Sequence, residues 1–284
     1  MVKDIIIAFI GPGVMAEAML SGIIKNKLTD PSNILTSGPL EDRNQELKDK
    51  YGIQPFSDNN KAAALADVVI LSVKPQRLEK VLEGLQGSVK KDTLVLSIIA
   101  GASIAKISSI LKHNKIVRSM PNTPAQIGEG ITVWCCSSKV EEKQKTIARA
   151  ILGSFGHEIY VEEEDYLDKA TALSGTGPAY VYLFMEAMID AGVHLGFSRR
   201  IAEKLVTETL RGSVDYYDKN GLESRHVASL RNQVTSPGGT SAEALYYLEK
   251  AGFRTAISRA IWAAYQRSLE LGQDADTLPP EPDL

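Results

Sequence analysis

The sequence predicts an α/β protein in which a doubly wound parallel sheet is followed by an all-α domain. In the first half of the 284-residue chain, short apolar runs alternate with helix-like stretches, which is typical of parallel strands covered by helices. The first apolar run leads through a glycine-rich turn into the first helix, and after Asp165 no strand pattern is visible. We therefore expect an α/β domain over residues 1–164 and an all-α domain over residues 165–284.

The predicted strands of the first domain are continuous apolar runs, as expected when both faces of a sheet are buried. They are Ile5–Ile10, Asn33–Thr36, Val68–Val73, Leu94–Ile98, Lys115–Val117, Ile131–Cys135 and His157–Tyr160. The clearest helices between them are Val14–Lys25, Glu41–Tyr51 and Lys61–Ala66. This alternation predicts a parallel sheet with helices on both faces.

The second domain is predicted from helical spacing. Tyr180–Leu195 carries apolar residues at helical intervals, with Pro178 suited to its first turn and Gly196 to its end. Ser198 is a candidate cap for the next helix, and Gly252–Leu271 is another long helical stretch. The acidic residues just before this domain are either a linker or its first helical turn.

The composition is that of an ordinary globular protein, with 44% hydrophobic and 24% charged residues. The formal net charge is −3 and no basic patch stands out, so we expect no nucleic-acid partner. The longest apolar runs, Val68–Val73 and Leu94–Ala100, fall short of the roughly 18–20 residues of a membrane span, so we expect no membrane partner. The first residues show neither a secretory signal nor a transit pattern, and we expect a cytoplasmic protein.

The sequence predicts no metal site. Cys135 and Cys136 are neighbours in a predicted strand, where their side chains point to opposite faces. They cannot easily pair or share a metal, and we expect two reduced thiols. The four histidines show no ligand spacing; they are His113, His157, His194 and His226.

The sharpest motif is a Gly-x-Gly-x-x-Ala turn between the first strand and the first helix. Gly11 permits the tight turn, Gly13 lets the backbone approach a pyrophosphate, and Ala16 lets the helix pack close to the strand. The pyrophosphate would lie on the free N–H groups at the positive end of the helix. Because the flanking strand and helix are both present, we predict a Rossmann-type dinucleotide-binding domain. The predicted cofactor contacts here are Ile10, Gly11, Pro12, Gly13, Val14 and Met15.

The end of the second strand indicates which dinucleotide binds. NAD-binding domains carry an acidic residue there for the ribose, but this sequence has a small polar turn. The turn is followed by Arg43, which is either a partner for a 2′-phosphate or an ordinary solvated helix charge. We therefore favour NADP(H) and keep NAD(H) as the alternative.

Further cofactor contacts are expected where other strands end, since ligands of open α/β sheets bind outside the carboxyl ends of strands. Small residues and prolines cluster at three such ends. The predicted contacts are Ser72, Val73, Lys74, Pro75, Ala100, Gly101 and Asn122. We interpret Lys74 as an exposed strand-end lysine rather than as a catalytic amine.

Two glycine-rich segments of the second domain, Ser174–Tyr180 and Thr235–Ser241, open predicted helices. Backbone N–H groups at such helix starts can bind a carboxylate without any arginine. The same residues also serve as ordinary helix caps, so both interpretations stay open.

With these motifs the sequence resembles the pyrroline-5-carboxylate reductase family over nearly its whole length. The segments that carry the resemblance are Phe9–Met15, Asp67–Gln76, Met120–Pro124, Ser174–Tyr180, Gln233–Thr240 and Gly252–Arg254. The resemblance implies an NAD(P)H-dependent reduction of 1-pyrroline-5-carboxylate, a cyclic imino acid, to L-proline in the last step of proline biosynthesis. The hydride would pass to the imine carbon while the enzyme holds the two rings face to face.

The resemblance also implies the site residues. The substrate-binding residues would be Ser236, Gly238, Gly239, Thr240 and Ser241, with backbone N–H groups of the middle three on the carboxylate. The hydroxyl of Ser241 would meet the ring nitrogen as the catalytic group. Asn59 matches the adenosine-phosphate contact of the family, beside Ser37. Helical domains of this family form homodimers, often assembled further into decamers.

Two positions depart from the family pattern. Threonine is common in the family where Ser241 stands, so the hydroxyl is retained but the stiffening methyl group is lost. Gly38 stands where a serine often contacts the 2′-phosphate, although Ser37 lies next to it. The second departure keeps NADH open as a cofactor.

Two other functions are compatible with a dinucleotide domain followed by helices. A two-domain 3-hydroxyacid dehydrogenase would need a lysine on the helical domain, for which Lys169 and Lys204 are candidates outside any matching motif. A non-catalytic NADP(H)-sensing protein would be expected to have lost the Ser-Pro-Gly-Gly loop, which is intact here.

Overall fold

A computed structural model describes residues 4–220 and 226–272 of the chain. An eight-stranded sheet with the order β3-β2-β1-β4-β5-β6-β7-β8 forms its N-terminal part. The strands are β1 (Ile7–Ile10), β2 (Ile34–Ser37), β3 (Gln54–Phe56), β4 (Val68–Leu71), β5 (Leu94–Ser97), β6 (Ile116–Met120), β7 (Gly130–Cys136) and β8 (Gly156–Tyr160). This order reverses direction between β1 and β4, which confirms the doubly wound Rossmann-type arrangement.

The prediction that the sheet is parallel is confirmed for the first six strands and is wrong for the last two. β7 pairs antiparallel with β6, and β8 pairs parallel with β7. The reason is the connection, residues 121–129, which is too short for the crossover that a parallel neighbour needs. β3 was missed because it is very short and contains Pro55.

Seven α-helices accompany the sheet. They are α1 (Val14–Lys25), α2 (Glu41–Tyr51), α3 (Asn59–Leu65), α4 (Leu78–Gly84), α5 (Ile104–Leu111), α6 (Glu142–Leu152) and α7 (Tyr166–Ala170). Alternate residues of β1 belong to separate cores: Ile7 and Phe9 pack in one, Ala8 and Ile10 in the other. Both faces of the sheet are therefore covered, and this is why its strands are continuous apolar runs.

The described residues after Asp165 contain helices and no strand. After a π-helical turn at Thr171–Gly175 come α8 (Gly177–His194), α9 (Arg199–Asn220), α10 (Val227–Gln233), α11 (Thr240–Lys250) and α12 (Phe253–Gly272). The chain forms two compact units. One contains the described residues up to Pro178 and those from Trp262 onward, and the other contains Ala179–Ile261. Residues 273–284 of the predicted second domain lie outside the described residues.

The unit formed by Ala179–Ile261 has almost no core of its own. Among its described residues only Ala202 and Val206 are buried. Many of its large apolar side chains are exposed, including Val181, Leu183, Leu205, Val214, Tyr246 and Tyr247. No helix in the described part of the chain is long and apolar enough to cross a membrane.

Candidate active site

The first glycine of the turn after β1 is irreplaceable on geometric grounds. Gly11 has φ +96°, a conformation that residues with a side chain rarely adopt. A Cβ atom at this position would lie 2.7 Å from Cγ1 of Val73, at the end of β4. The Gly11 N–H also donates to the carbonyl of Ser37 at 2.8 Å. The turn therefore packs tightly between the ends of β2 and β4.

The second glycine of the turn faces open space. Gly13 is the N-cap of α1 in extended backbone, and a Cβ atom there would meet no atom within 4 Å. Gly13 and Val14 are both exposed, whereas Ile10 and Pro12 are buried and Met15 is half-buried. The start of α1 thus offers its first N–H groups to a ligand of negative charge, as the sequence predicts.

A residue just after the end of β4 hydrogen-bonds to the backbone of the glycine turn. The hydroxyl of Ser72 donates to the carbonyl of Gly11 at 2.9 Å and to that of Ile10 at 3.1 Å. Lys74 is exposed, and Pro75 starts a short 3-10 helix. The structure therefore gives Ser72 and Val73 positioning contacts with the glycine turn.

Two predicted adenosine contacts are joined directly. The buried hydroxyl of Ser37 donates to Oδ1 of Asn59 at 2.7 Å. Asn59 is the first residue of α3 and is half-buried. Because its oxygen is the acceptor in this bond, its Nδ2 group presents two donors.

Gly38 is explained by packing on Pro12. A Cβ atom at Gly38 would lie 2.5 Å from Cδ of Pro12, so the loop after β2 can approach the glycine turn only without a side chain. The amide of Asn44 in α2 donates to the Gly38 carbonyl at 3.1 Å and fixes this loop further. The departure from the family serine therefore has a steric cause in this chain.

Arg43 is half-buried and is held in ion pairs rather than standing as a free cation. Its Nε donates to the Pro12 carbonyl at 3.1 Å, and its two terminal nitrogens pair with Glu17 at 2.5 Å and Glu46 at 2.8 Å. Burial alone would raise the pKa of Glu17, but hydrogen bonds from Lys50, Arg43 and Tyr51 outweigh it and lower the pKa to about 2. The sequence could not show this, since it depends on the pairing of α1 with α2.

The predicted contacts at the ends of β5 and β6 are packed against the protein itself. Gly101 is buried with φ +72°, and a Cβ atom there would lie 2.7 Å from the backbone of Leu271 in α12. Ala100 beside it is half-buried. Asn122 is 8% exposed; its oxygen accepts from the N–H of Ile131, and its Nδ2 donates to the Ser174 carbonyl at 3.2 Å. Gly101 and Asn122 thus fix the conformation of the loops that follow β5 and β6.

The Ser236–Ser241 loop belongs to the second compact unit and forms the start of α11. Gly238 has φ +69°, and a Cβ atom at Gly239 would lie 2.5 Å from Oγ of Ser236. The Gly239 N–H closes the turn by donating to the Ser236 carbonyl at 3.1 Å. In the described part of the chain nothing accepts from the N–H groups of Thr240 and Ser241. At the positive end of this helix, two N–H groups therefore have no acceptor among the described residues.

A buried charge cluster near the middle of the chain has no counterpart in the sequence prediction. Arg118 in β6 is 4% exposed and pairs with Asp168 at 2.9 Å and Glu164 at 3.1 Å. Asp168 also accepts a hydrogen bond of 2.8 Å from Ser268 in α12. The partners are far apart in sequence and follow no local pattern, so no signal could have identified them.

The two lysines named for the 3-hydroxyacid dehydrogenase alternative are both engaged in ion pairs. Lys169 pairs with Asp165 at 2.5 Å and Lys204 with Glu208 at 2.8 Å on the surface. No cluster of three potential metal ligands occurs among the residues that the structure describes. Both cysteines are free thiols, and burial raises the pKa of Cys135 to about 12.

Comparison with known proteins assigns both parts of the chain. Residues 164–271 match the family model described as pyrroline-5-carboxylate reductase dimerisation, and residues 6–101 match one described as NADP oxidoreductase coenzyme F420-dependent. A pyrroline-5-carboxylate reductase of Synechocystis sp. is 41% identical over 267 residues, covering 94% of this chain and 98% of that protein. Pyrroline-5-carboxylate reductase 1 of Bacillus subtilis is 36% identical, covering 95% of this chain and 90% of that protein.

Solved structures agree with these relatives. The Plasmodium falciparum pyrroline carboxylate reductase with NADP bound has a TM-score of 0.88 at 34% identity, covering 96% of this chain and all of that one. A pyrroline-5-carboxylate reductase from Coxiella burnetii has a TM-score of 0.85 at 36% identity, covering the same shares. The chain belongs to the pyrroline-5-carboxylate reductase family.

Proposed function

We propose that this chain reduces 1-pyrroline-5-carboxylate to L-proline with NADP(H). Membership of the family supports the reaction, and the NADP-bound relative from Plasmodium falciparum supports the cofactor. The observation in this chain that carries the proposal is the Ser236–Ser241 loop, whose free N–H groups and hydroxyl suit a small imino acid. NADPH, when bound, supplies the hydride that the imine carbon accepts.

The glycine turn and its neighbours would hold the cofactor. The pyrophosphate would lie on the N–H groups that start α1, where Gly13 leaves room for it. The Nδ2 group of Asn59, oriented by Ser37, would donate to the adenosine phosphate. The predicted contacts of Ser72, Val73 and Asn122 stay proposals, in which these residues shape the loops under the cofactor.

The α11 loop would hold the substrate. The resemblance implies that the backbone N–H groups of Gly238, Gly239 and Thr240 hold the carboxylate. Because the Gly239 N–H already donates to the Ser236 carbonyl, the carboxylate would accept from Gly238 and Thr240, with the N–H of Ser241 as a further donor. The hydroxyl of Ser241 would hydrogen-bond the ring nitrogen, which gains a proton when the imine carbon gains hydride. Positioning of the two rings would supply much of the rate acceleration, since the imine is already electrophilic.

The Ser241→Ala variant tests the catalytic role. We expect its kcat/KM for pyrroline-5-carboxylate to fall by about 100-fold, the usual contribution of a positioned proton donor, while NADPH binding is unchanged. The matched control is Ser241→Thr, which restores the residue common in the family and should retain activity. Equal kcat/KM in the alanine variant and the parent chain would remove Ser241 from the mechanism.

The chain is oligomeric, as its match to a dimerisation family indicates, and we propose a homodimer that can assemble into a decamer. The second compact unit buries few side chains and carries an apolar groove of about 540 Å³. Residues lining this groove include Tyr180, Val181, Phe184, Leu210, Phe253 and Ile257. If a second copy of the chain covered this groove, the buried interface would supply the core that the unit lacks. Sedimentation analysis should give a mass at least twice that of the chain; a stable monomer would contradict the proposal.

The domain division and the location in the cell are also proposals. The start of the dimerisation match at residue 164 supports a division between residues 1–164 and 165–284, whereas the compact units divide after Pro178 and place the described residues from Trp262 onward with the first unit. Limited proteolysis tests the division: first cuts near residue 164 would support it, and first cuts near Pro178 would favour the compact units instead. A cytoplasmic location agrees with the two free thiols, and cell fractionation tests it.

A further inference from the structure

Arg43 uses all three nitrogens of its guanidinium group inside the protein. Nε donates to the carbonyl of Pro12, and the terminal nitrogens pair with Glu17 in α1 and Glu46 in α2. The Arg43 side chain is only 20% exposed. A guanidinium group has five N–H donors in a fixed planar set, and three of them, one on each nitrogen, are used in these bonds, so the protein itself fixes the orientation of this side chain.

The charge of Arg43 is also matched locally. Glu17 accepts hydrogen bonds from Arg43, from Lys50 at 2.8 Å and from Tyr51 at 2.9 Å. Glu46 provides a second carboxylate. A dinucleotide phosphate would therefore meet a neutralised ion cluster and gain little attraction from this arginine.

The contact with Pro12 lies at the centre of the glycine turn. Pro12 stands between Gly11 and Gly13, and a Cβ atom at Gly38 in the next loop would clash with its ring. The Pro12 carbonyl is held by Arg43, which reaches it from α2. One side chain thus ties the turn to α1 and α2.

We infer that Arg43 is a positioning residue that fixes the glycine turn for the pyrophosphate of either dinucleotide and does not select for the 2′-phosphate. This inference rests on the proposed use of NADP(H) by the chain. Selectivity between NADPH and NADH then depends on Ser37 and Asn59, where the Nδ2 group of Asn59 would offer neutral donors to the adenosine ribose or its phosphate.

Equilibrium binding of NADPH and NADH to Arg43→Gln and Arg43→Lys tests the inference. We expect both affinities to fall by about tenfold, the cost of one lost charge-assisted hydrogen bond. The ratio of the two affinities should stay within about twofold of its value in the parent chain, since the loss lies at the shared pyrophosphate. Lysine should fail like glutamine, because one ammonium group cannot reach the Pro12 carbonyl and Glu17 in the same geometry. A loss for NADPH alone, or no loss for either, would overturn the inference.

Two further variants separate positioning from simple stability. Lys50→Met removes another partner of Glu17 but touches nothing in the glycine turn, so both cofactor affinities should be unchanged. A tenfold loss in this control would show that the ion cluster acts only through stability and would contradict the inference. Asn59→Ala should weaken NADPH more than NADH, which identifies the group that senses the phosphate. Because binding is measured without pyrroline-5-carboxylate, a failure of the proposed reaction would leave this result readable.

Steady-state kinetics, with the concentration of each cofactor varied up to saturation, give an independent readout. A residue that only positions the turn should raise KM for both cofactors in the Arg43 variants and leave kcat within about twofold. A fall in kcat with unchanged KM would contradict the role assigned to Arg43.

Discussion

The hydroxyl of Ser37 donates a hydrogen bond of 2.7 Å to Oδ1 of Asn59 and thereby fixes the orientation of that amide group. Ser37 ends β2 and Asn59 begins α3, so the bond joins two elements that are not neighbours in the chain. It leaves the Nδ2 group of Asn59 as a pair of donors near the expected position of the adenosine ribose. Neutral donors at this position can hydrogen-bond the 2′-phosphate of NADPH, but they carry no charge that would require a phosphate there.

Asn59→Asp should reverse the cofactor preference. The substituted carboxylate keeps the acceptor for Ser37 but replaces two donors by a negative charge of nearly the same shape. We expect kcat/KM for NADPH to fall by at least about tenfold, since close like charges are costly, with NADH little affected. Measured NADPH and NADH kinetics on the same preparation decide this. An unchanged preference would mean that the phosphate binds elsewhere.

Gly11→Ala and Gly13→Ala should separate stability from binding. At Gly11 the new methyl group meets Val73 and requires an unfavourable φ, so both thermal stability and NADPH affinity should fall. At Gly13 the methyl group enters open space in the free protein, so stability should stay near that of the parent chain while NADPH affinity falls. Thermal unfolding and cofactor titration of both variants check this. Tight NADPH binding by Gly13→Ala would contradict the proposed pyrophosphate position.

Glu17 should make the protein more stable above pH 4.5 than below it. Its folded pKa of about 2 lies under the ordinary value of 4.5, so its contribution is complete above pH 4.5 and is lost as the pH falls toward 2. Glu17→Gln should lower the free energy of unfolding near neutral pH by about 2 kcal/mol, less than the full shift because water screens the exposed Lys50 partner. The variant should also lose stability less steeply between pH 4.5 and 2. Parallel acid-unfolding curves for the two proteins would refute this.

Asp168→Ala should destabilise the first compact unit strongly. The change leaves the buried Arg118 with one carboxylate partner and removes the acceptor of Ser268, so we expect a loss of about 3 kcal/mol in urea unfolding. Asp168→Asn keeps an acceptor oxygen and should cost less. Ser268→Ala should cost about 1 kcal/mol, the value of one buried hydrogen bond. Equal stabilities for the alanine variant and the parent chain would show that the pairing contributes nothing.

The sequence predicts most of the fold because local and global signals agree. The helices Val14–Lys25 and Glu41–Tyr51 have the predicted bounds, since each is delimited by a glycine turn, a polar turn or a glycine end. The reversal of β7 was not predicted, because strand direction depends on the connection and leaves no trace in an apolar run. The sequence shows that the helices of the second unit have apolar faces, but it does not show that most of these side chains are exposed and that the unit has almost no core.

The site is predicted less evenly than the fold. Gly11 and Gly13 are recognisable because their roles depend on the backbone, which a sequence motif can specify. The role of Arg43 depends on partners in α1 and on a carbonyl, and the sequence left it open between phosphate binding and solvation. The contact between Gly101 and Leu271 joins segments far apart in the chain, so no local sequence pattern indicates it.

The most direct test of the account is the steady-state oxidation of NADPH by the purified chain with 1-pyrroline-5-carboxylate, with the product identified. We predict turnover that yields L-proline in equal amount to the NADPH consumed and that is lost in Ser241→Ala. A folded protein that binds NADPH but leaves the imine unreduced, or that oxidises a 3-hydroxyacid instead, would contradict the proposed function.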